Sequence, residues 1–304
     1  MSKNKNSTGI FCFKIVFTLS LIVYFLNTIN APADQTGSSL TNNLLAISVC
    51  PPWKPAPPEV CINGINAVAG ALSERLEIDS GNQHFLLNRQ GTVNGLRAMT
   101  AELAKTLGPT DRLIVYANVH GGPIDAHEAA TPANDVLVLW SEEKPKALAF
   151  AVAEEKWIMA SEFARLVNGI PAAEIIVMID ACESAAASPL FFHKNPENDP
   201  ARSTAVVVSA QSDQFAIYNE SETLSLFTEE MSKSLAGFDG TLAGAVAEAA
   251  KATAKAAVPI CDGQSAELQK LGLDPRACRQ IPATHDPDGL LDRIPLGPGK
   301  TKKP

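Results

Sequence analysis

The stretch Ile175-Ile176-Val177-Met178-Ile179-Asp180-Ala181-Cys182-Glu183-Ser184 decides the fold. Its first five residues are all apolar and mostly β-branched, with no alternation of polar and apolar positions, so the strand they predict is covered on both faces. Such a strand belongs in a parallel sheet between two helical layers, where reactive groups collect beyond the carboxyl ends of the strands. This strand ends in a thiol. The same pattern recurs at Leu113-Ile114-Val115-Tyr116-Ala117, which runs into Val119-His120-Gly121-Gly122 and so ends in an imidazole. Further strands are expected over residues 44–49, 84–87 and 205–209, and two apolar runs, 136–140 and 147–152, lie between His120 and Cys182.

Helical spacing fills the intervals. Over residues 62–76 the apolar positions Ile65, Val68, Ala69, Leu72 and Leu76 share a face; over 92–107 Leu96, Met99, Leu103 and Leu107 do so, before Gly108-Pro109 ends the helix. Helices are also expected over 161–167, 226–235 and 242–257. The loop 51–58 holds five prolines in eight residues and excludes regular structure. Strands alternating with helices make an α/β sandwich on a mostly parallel sheet.

The chain has 304 residues, 46% hydrophobic and 19% charged, an ordinary globular balance. A net charge of −8 and 6% aromatics exclude a broad nucleic-acid surface and stacking platforms for single strands. Lys3, Lys5 and Lys14 precede the apolar run 15–26 and then Ala31-Pro32-Ala33, so residues 1–33 read as a secretory signal. The rival is an uncleaved anchor, against which the run falls short of the ~20 apolar residues of a span. A membrane is a partner only in that second case, and either way the remainder is exported. Residues 34–43 are expected as a flexible lead-in, 44–260 as the domain, and 261–304 as a C-terminal extension ending in the solvated tail of Lys300, Lys302 and Lys303.

Export gives the cysteines meaning. Cys12 leaves with the signal, while Cys50 with Cys61 and Cys261 with Cys278 form two local pairs. Disulfides persist in such a compartment, and closing loops of this size stabilises by about 3 kcal/mol each; buried thiols are the alternative. Cys182 is the odd cysteine, a candidate reactive thiol. With an imidazolium near it and a helix N-terminus following it, Cys182 is favoured as a thiolate nucleophile, His120 acting as base. The amides of Gly121 and Cys182 are candidate oxyanion donors, and Gly121 lets substrate backbone approach. His127 is an alternative base; His84, His193 and His285 read as structural or surface residues. No cluster has metal-ligand spacing, and no cofactor is implied.

These segments resemble clan CD cysteine peptidases. Tyr116-Ala117-Asn118-Val119-His120-Gly121-Gly122-Pro123 looks like their strand-to-histidine segment, and Ile179-Asp180-Ala181-Cys182-Glu183-Ser184 like their nucleophile segment, with Ala-Cys-Glu-Ser similar to legumains. The helix before Asp111-Arg112-Leu113-Ile114-Val115-Tyr116 and the strand and loop from Val206 to Gln214 are arranged as in caspases and metacaspases, so the resemblance covers residues 44–257. It implies a caspase-like three-layer α/β/α sandwich, a peptide or protein substrate, and a thioester on Cys182. It also implies a pocket for the side chain preceding the scissile bond, bordered by Asp180, Ser209 and Asp213, that takes arginine or lysine, then asparagine, and disfavours aspartate. Three features depart from the family. Ala185 stands where a glycine is usual, the interval from His120 to Cys182 is long enough for an extra hairpin or lid, and the arginines of caspase pockets are absent. Transpeptidation, and a silent scaffold, are the alternative functions.

Overall fold

The structure, a computed structural model, describes residues 40–53, 58–125, 128–146, 150–192, 202–270 and 272–298. The expected signal, most of the lead-in, His127, His193 and the lysines of the tail lie outside the described residues. The strands are β1 (Thr41–Ser48), β2 (Gln83–Leu87), β3 (Asp111–Asn118), β4 (His120–Pro123), β5 (Asp135–Val138), β6 (Trp157–Met159), β7 (Glu174–Asp180), β8 (Ser203–Val208) and β9 (Ala283–His285). The α-helices are α1 (Pro58–Arg75), α2 (Val93–Thr106), α3 (Ala160–Asn168), α4 (Leu226–Gly237) and α5 (Leu242–Lys270). A six-stranded sheet runs in the order β2-β1-β3-β7-β8-β9, parallel throughout except for β9, which lies antiparallel on β8.

Because successive side chains of a strand point to opposite faces, the apolar runs divide between two cores. Leu45, Ile47, Leu113, Val115, Ile175 and Val177 pack with Leu96 and Leu103 of α2 and Phe163 and Val167 of α3. Leu44, Ala46, Ile114, Tyr116, Ile176 and Met178 pack with Val68 and Leu72 of α1, Phe227 and Met231 of α4, and Val246 and Ala249 of α5. The result is the expected sandwich of helices on both faces of a mostly parallel sheet.

Three local expectations need correction. Strand β1 begins at Thr41, inside the expected lead-in, because Thr41, Asn42 and Asn43 pair with Asp111, Arg112 and Leu113 of β3. The apolar run 147–152 makes no strand where it is described: Ala151 is fully buried in a turn that packs on Val136, Val138 and Trp157. Helix α5 does not stop near Ala257 but continues through Pro259 to Lys270, carrying Cys261.

The long interval between His120 and Cys182 contains an antiparallel meander, β4-β5-β6. Disulfides join Cys50 to Cys61 and Cys261 to Cys278, and Cys182 belongs to neither. Two disulfides fit a compartment outside the reducing cytoplasm. Among the described residues no helix is long and apolar enough to cross a membrane.

Candidate active site

The site grows from the pairing of β3 with β7. Asn118 stands opposite Asp180 at the end of the ladder, and the Val119 amide continues it by donating to the Asp180 carbonyl at 3.1 Å. His120 and Cys182 each follow two residues beyond that matched pair, so parallel register delivers imidazole and thiol to the same edge of the sheet. Beyond the ladder the two segments touch. A Cβ on Gly121 would lie 3.0 Å from the Cys182 carbonyl oxygen and 3.1 Å from the Ala181 Cβ. Gly122 has φ +141°, and a Cβ there would lie 2.8 Å from a carboxylate oxygen of Glu183. Two glycines are therefore what let the His120 segment lie against the Cys182 segment.

The turn carrying Cys182 is clamped from below. The Ser209 hydroxyl sits 3.2 Å from both the amide nitrogen and the carbonyl oxygen of Ala181. Glu183 adopts φ 56°, a left-handed conformation that costs a non-glycine residue about 1 kcal/mol or more. Its amide donates to the Gln214 carbonyl at 2.8 Å, and the Ala185 amide donates to the Ala210 carbonyl at 3.1 Å. The Cys182 thiol, partly exposed, faces the Ala216 carbonyl oxygen at 3.8 Å. The segment that follows, Ser184–Phe192, is a 3-10 helix containing Pro189. The expected α-helical N-terminus behind the thiol is thus replaced by a tighter turn.

Asp180 is buried beneath this edge, 2% exposed. One carboxylate oxygen, Oδ2, accepts from the Ser225 hydroxyl and, at 2.7 Å, from the Thr228 hydroxyl, at the start of α4. The other, Oδ1, has no hydrogen-bond partner among the described residues. Burial pushes the carboxyl above its ordinary range, against the hydroxyls of Ser225, Thr228 and Ser209. Tyr218 is pushed up to about 12, first by burial and then by the charges of Cys182 and Asp180.

A second acidic group lies under the histidine segment. Asp135 of β5 is buried and pushed up to about 7, mainly by burial and secondarily by the charge of Glu183; the amides of Val136 and Gly122 act in the opposite sense. Unfolded, it would titrate at 3.8, so the folded chain holds this proton more tightly. Its contribution to stability is complete below that value, declines as pH rises, and is gone above about 7. Thermal melts at about pH 5 and about pH 8 should therefore show a loss of roughly 2 kcal/mol through this group. Asp135→Asn should flatten that difference; an unchanged pH slope in the variant would reject the assignment.

The other expected residues are distributed as follows. Ser209 is fully buried and braces Ala181 rather than presenting its hydroxyl to solvent. Asp213 is exposed on the loop after β8, where its charge acts on Glu183 and Arg276. His84 is on the edge strand β2, separated from β3 by β1, and His285 on β9 stacks on Phe192 with centroids 4.2 Å apart. No group among the described residues has the ligands to hold a metal ion. Sequence reasoning missed Asp135, Ala216, Tyr218 and Gln280: Asp135 opens β5 rather than following a strand, and none of the four lies in a recognisable motif.

No family model matches the chain, and no curated protein matches it in sequence. Among solved structures, it is similar to the protein GSU0716 of Geobacter sulfurreducens, with TM-score 0.50 and 13% identity over 84% of this chain and 98% of that one. It is also similar to caspase-1 of Spodoptera frugiperda, with TM-score 0.47 and 11% identity over 82% of this chain and 87% of that one. The Drosophila initiator caspase Dronc gives TM-score 0.45 and 9% identity over 84% and 81% of the two chains. At such identities the likeness to the Geobacter protein is one of fold alone.

Proposed function

We propose that the chain is an exported cysteine endopeptidase of caspase-like type, with Cys182 as nucleophile and His120 as general base. The observation that carries this reading is the shared register: both residues lie two positions past the Asn118–Asp180 pair, with Gly121 packed on the nucleophile's own backbone. His120 takes the thiol proton, and the thiolate adds to the peptide carbonyl while the Gly121 and Cys182 amides face the developing oxyanion. The C–N bond breaks as His120 returns its proton to the leaving amine. Water then attacks the thioester, giving up a proton to His120, and releases the acid and the free thiol. The two motifs quoted above, and the buried Asp180 whose Oδ1 has no hydrogen-bond partner among the described residues, support a pocket for arginine or lysine before the scissile bond, asparagine ranking next.

A positional peptide library with products identified by mass tests the proposal. Cleavage after basic residues is the expected result. Joined peptides in place of cleaved ones would mean transpeptidation, and no product from any member of the library would mean a scaffold that performs no catalysis.

A further inference from the structure

The loop after β8, residues 209–218, carries the Ala216 carbonyl against the thiol yet forms neither helix nor ladder. Two of its amides and two of its side chains are instead met by the chain's C-terminal segment. The Phe215 amide donates to the Ala277 carbonyl at 2.6 Å, and the Ile217 amide donates to the Gln280 side-chain oxygen at 3.2 Å. The Ile281 amide donates to the Gln214 side-chain oxygen at 2.8 Å, and the Gln211 side-chain nitrogen donates to the Ile281 carbonyl at 2.9 Å. The segment is fastened at both ends. Near its start the Cys261–Cys278 bond ties it to α5, and at its end β9 pairs with β8.

Gln280 is the informative member. Its side chain is fully buried, and Nε2 has no hydrogen-bond partner among the described residues. A half-satisfied buried amide is costly where an apolar residue of the same shape would cost nothing. The contact it does make, from Oε1 to the Ile217 amide, holds the residue next to Ala216. Ile217 in turn accepts from the Leu226 amide at 2.8 Å and packs with the cluster of Leu226, Ala257, Cys261 and Cys278. The disulfide, the loop and the start of α4 thus share one small core.

We infer that residues 275–285 are a structural strap of the active site, with Gln280 a positioning residue for the substrate-facing loop and the Cys261–Cys278 bond its anchor. The inference rests on the peptidase reading only for its kinetic consequence. The strap sets where the loop stands relative to Cys182, so it governs how well a peptide is seated rather than how the bond is broken.

The test uses the full mature chain with Gln280→Met, which keeps the volume and removes the acceptor, and in parallel Cys261→Ala/Cys278→Ala, which releases the anchor. In both, amide hydrogen exchange at Phe215 and Ile217 should quicken about tenfold or more, while amides of β3 and β7 keep their protection. KM for a cleaved peptide should rise about tenfold with kcat within about twofold. If the Gln280 variant fails to fold, the disulfide variant carries the exchange measurement alone. Unchanged protection at Phe215 and Ile217 in the disulfide variant would overturn the inference, and so would a fall in kcat with KM unchanged. If the wild type cleaves no peptide, the peptidase reading fails, while the exchange result still decides whether the strap positions the loop.

Discussion

His120→Ala is expected to lower kcat/KM for peptide hydrolysis by on the order of 10²–10⁴-fold, the usual worth of a positioned acid–base group. Cys182→Ala should remove measurable turnover altogether, since no other described cysteine is outside a disulfide. Neither change should unfold the chain. The Cys182 side chain is partly exposed, and His120 is partly exposed on β4, a four-residue strand whose pairing with Val138 uses only its backbone. Melting temperatures of both variants should stay within a few degrees of wild type. Steady-state kinetics with one cleaved peptide check the effect, and wild-type turnover in His120→Ala would move the base elsewhere, His127 being the alternative.

The second large effect is expected at Asp180. Its carboxylate is held from one side by Ser225 and Thr228, while the buried Oδ1 has no hydrogen-bond partner among the described residues. Asp180→Asn keeps an acceptor for those two hydroxyls and removes the charge, so the fold should survive. A buried charge-assisted contact with a guanidinium or ammonium is worth about 1.5–3 kcal/mol. Cleavage after arginine or lysine should therefore fall roughly 10- to 100-fold, with cleavage after asparagine and alkylation of Cys182 by a small reagent much less affected. Efficient cleavage after aspartate, equal in wild type and variant, would show that Asp180 does not border the specificity pocket.

The central strands were legible because runs such as 113–117 and 175–179 are apolar on both faces, rich in β-branched residues and of strand length, a pattern that a covered parallel sheet accommodates. The meander was not legible in the same way. Strand β4 is His-Gly-Gly-Pro, with no strand propensity, and exists because β5 offers it a partner. The run 147–152 misled because its described residues form a turn in which only Ala151 is fully buried, packing on Val136, Val138 and Trp157, while Phe150 is exposed. At Pro259 a general rule against proline in helices gave way to packing, since Ala257 and Cys261 bury against Leu226 and Cys278 on either side of it.

The site divides along the same line. Cys182 and His120 were visible because strand ends locate them, and their likeness to a known pair of motifs named their chemistry. Ala216 and Gln280 come from segments with no periodicity, so nothing local marks them; Asp135 opens β5, beside the apolar run 136–140, but sits at the start of its strand, where no reactive group was sought. Ser209 was expected at the pocket because the family resemblance implied it, yet it turns inward to both backbone polar groups of Ala181. A hydroxyl beside a sharp turn satisfies backbone as readily as it meets a ligand.

The central claim is that Cys182 forms a covalent bond with the acyl half of a peptide. Its most direct measurement is intact mass and peptide mapping of the mature chain after exposure to a peptide ending in a thiol-reactive ketone at an arginine. The account predicts one added inhibitor mass on Cys182, absent in Cys182→Ala and slowed in His120→Ala. An adduct on any other residue, or an unmodified Cys182 in a fully folded chain, would contradict it.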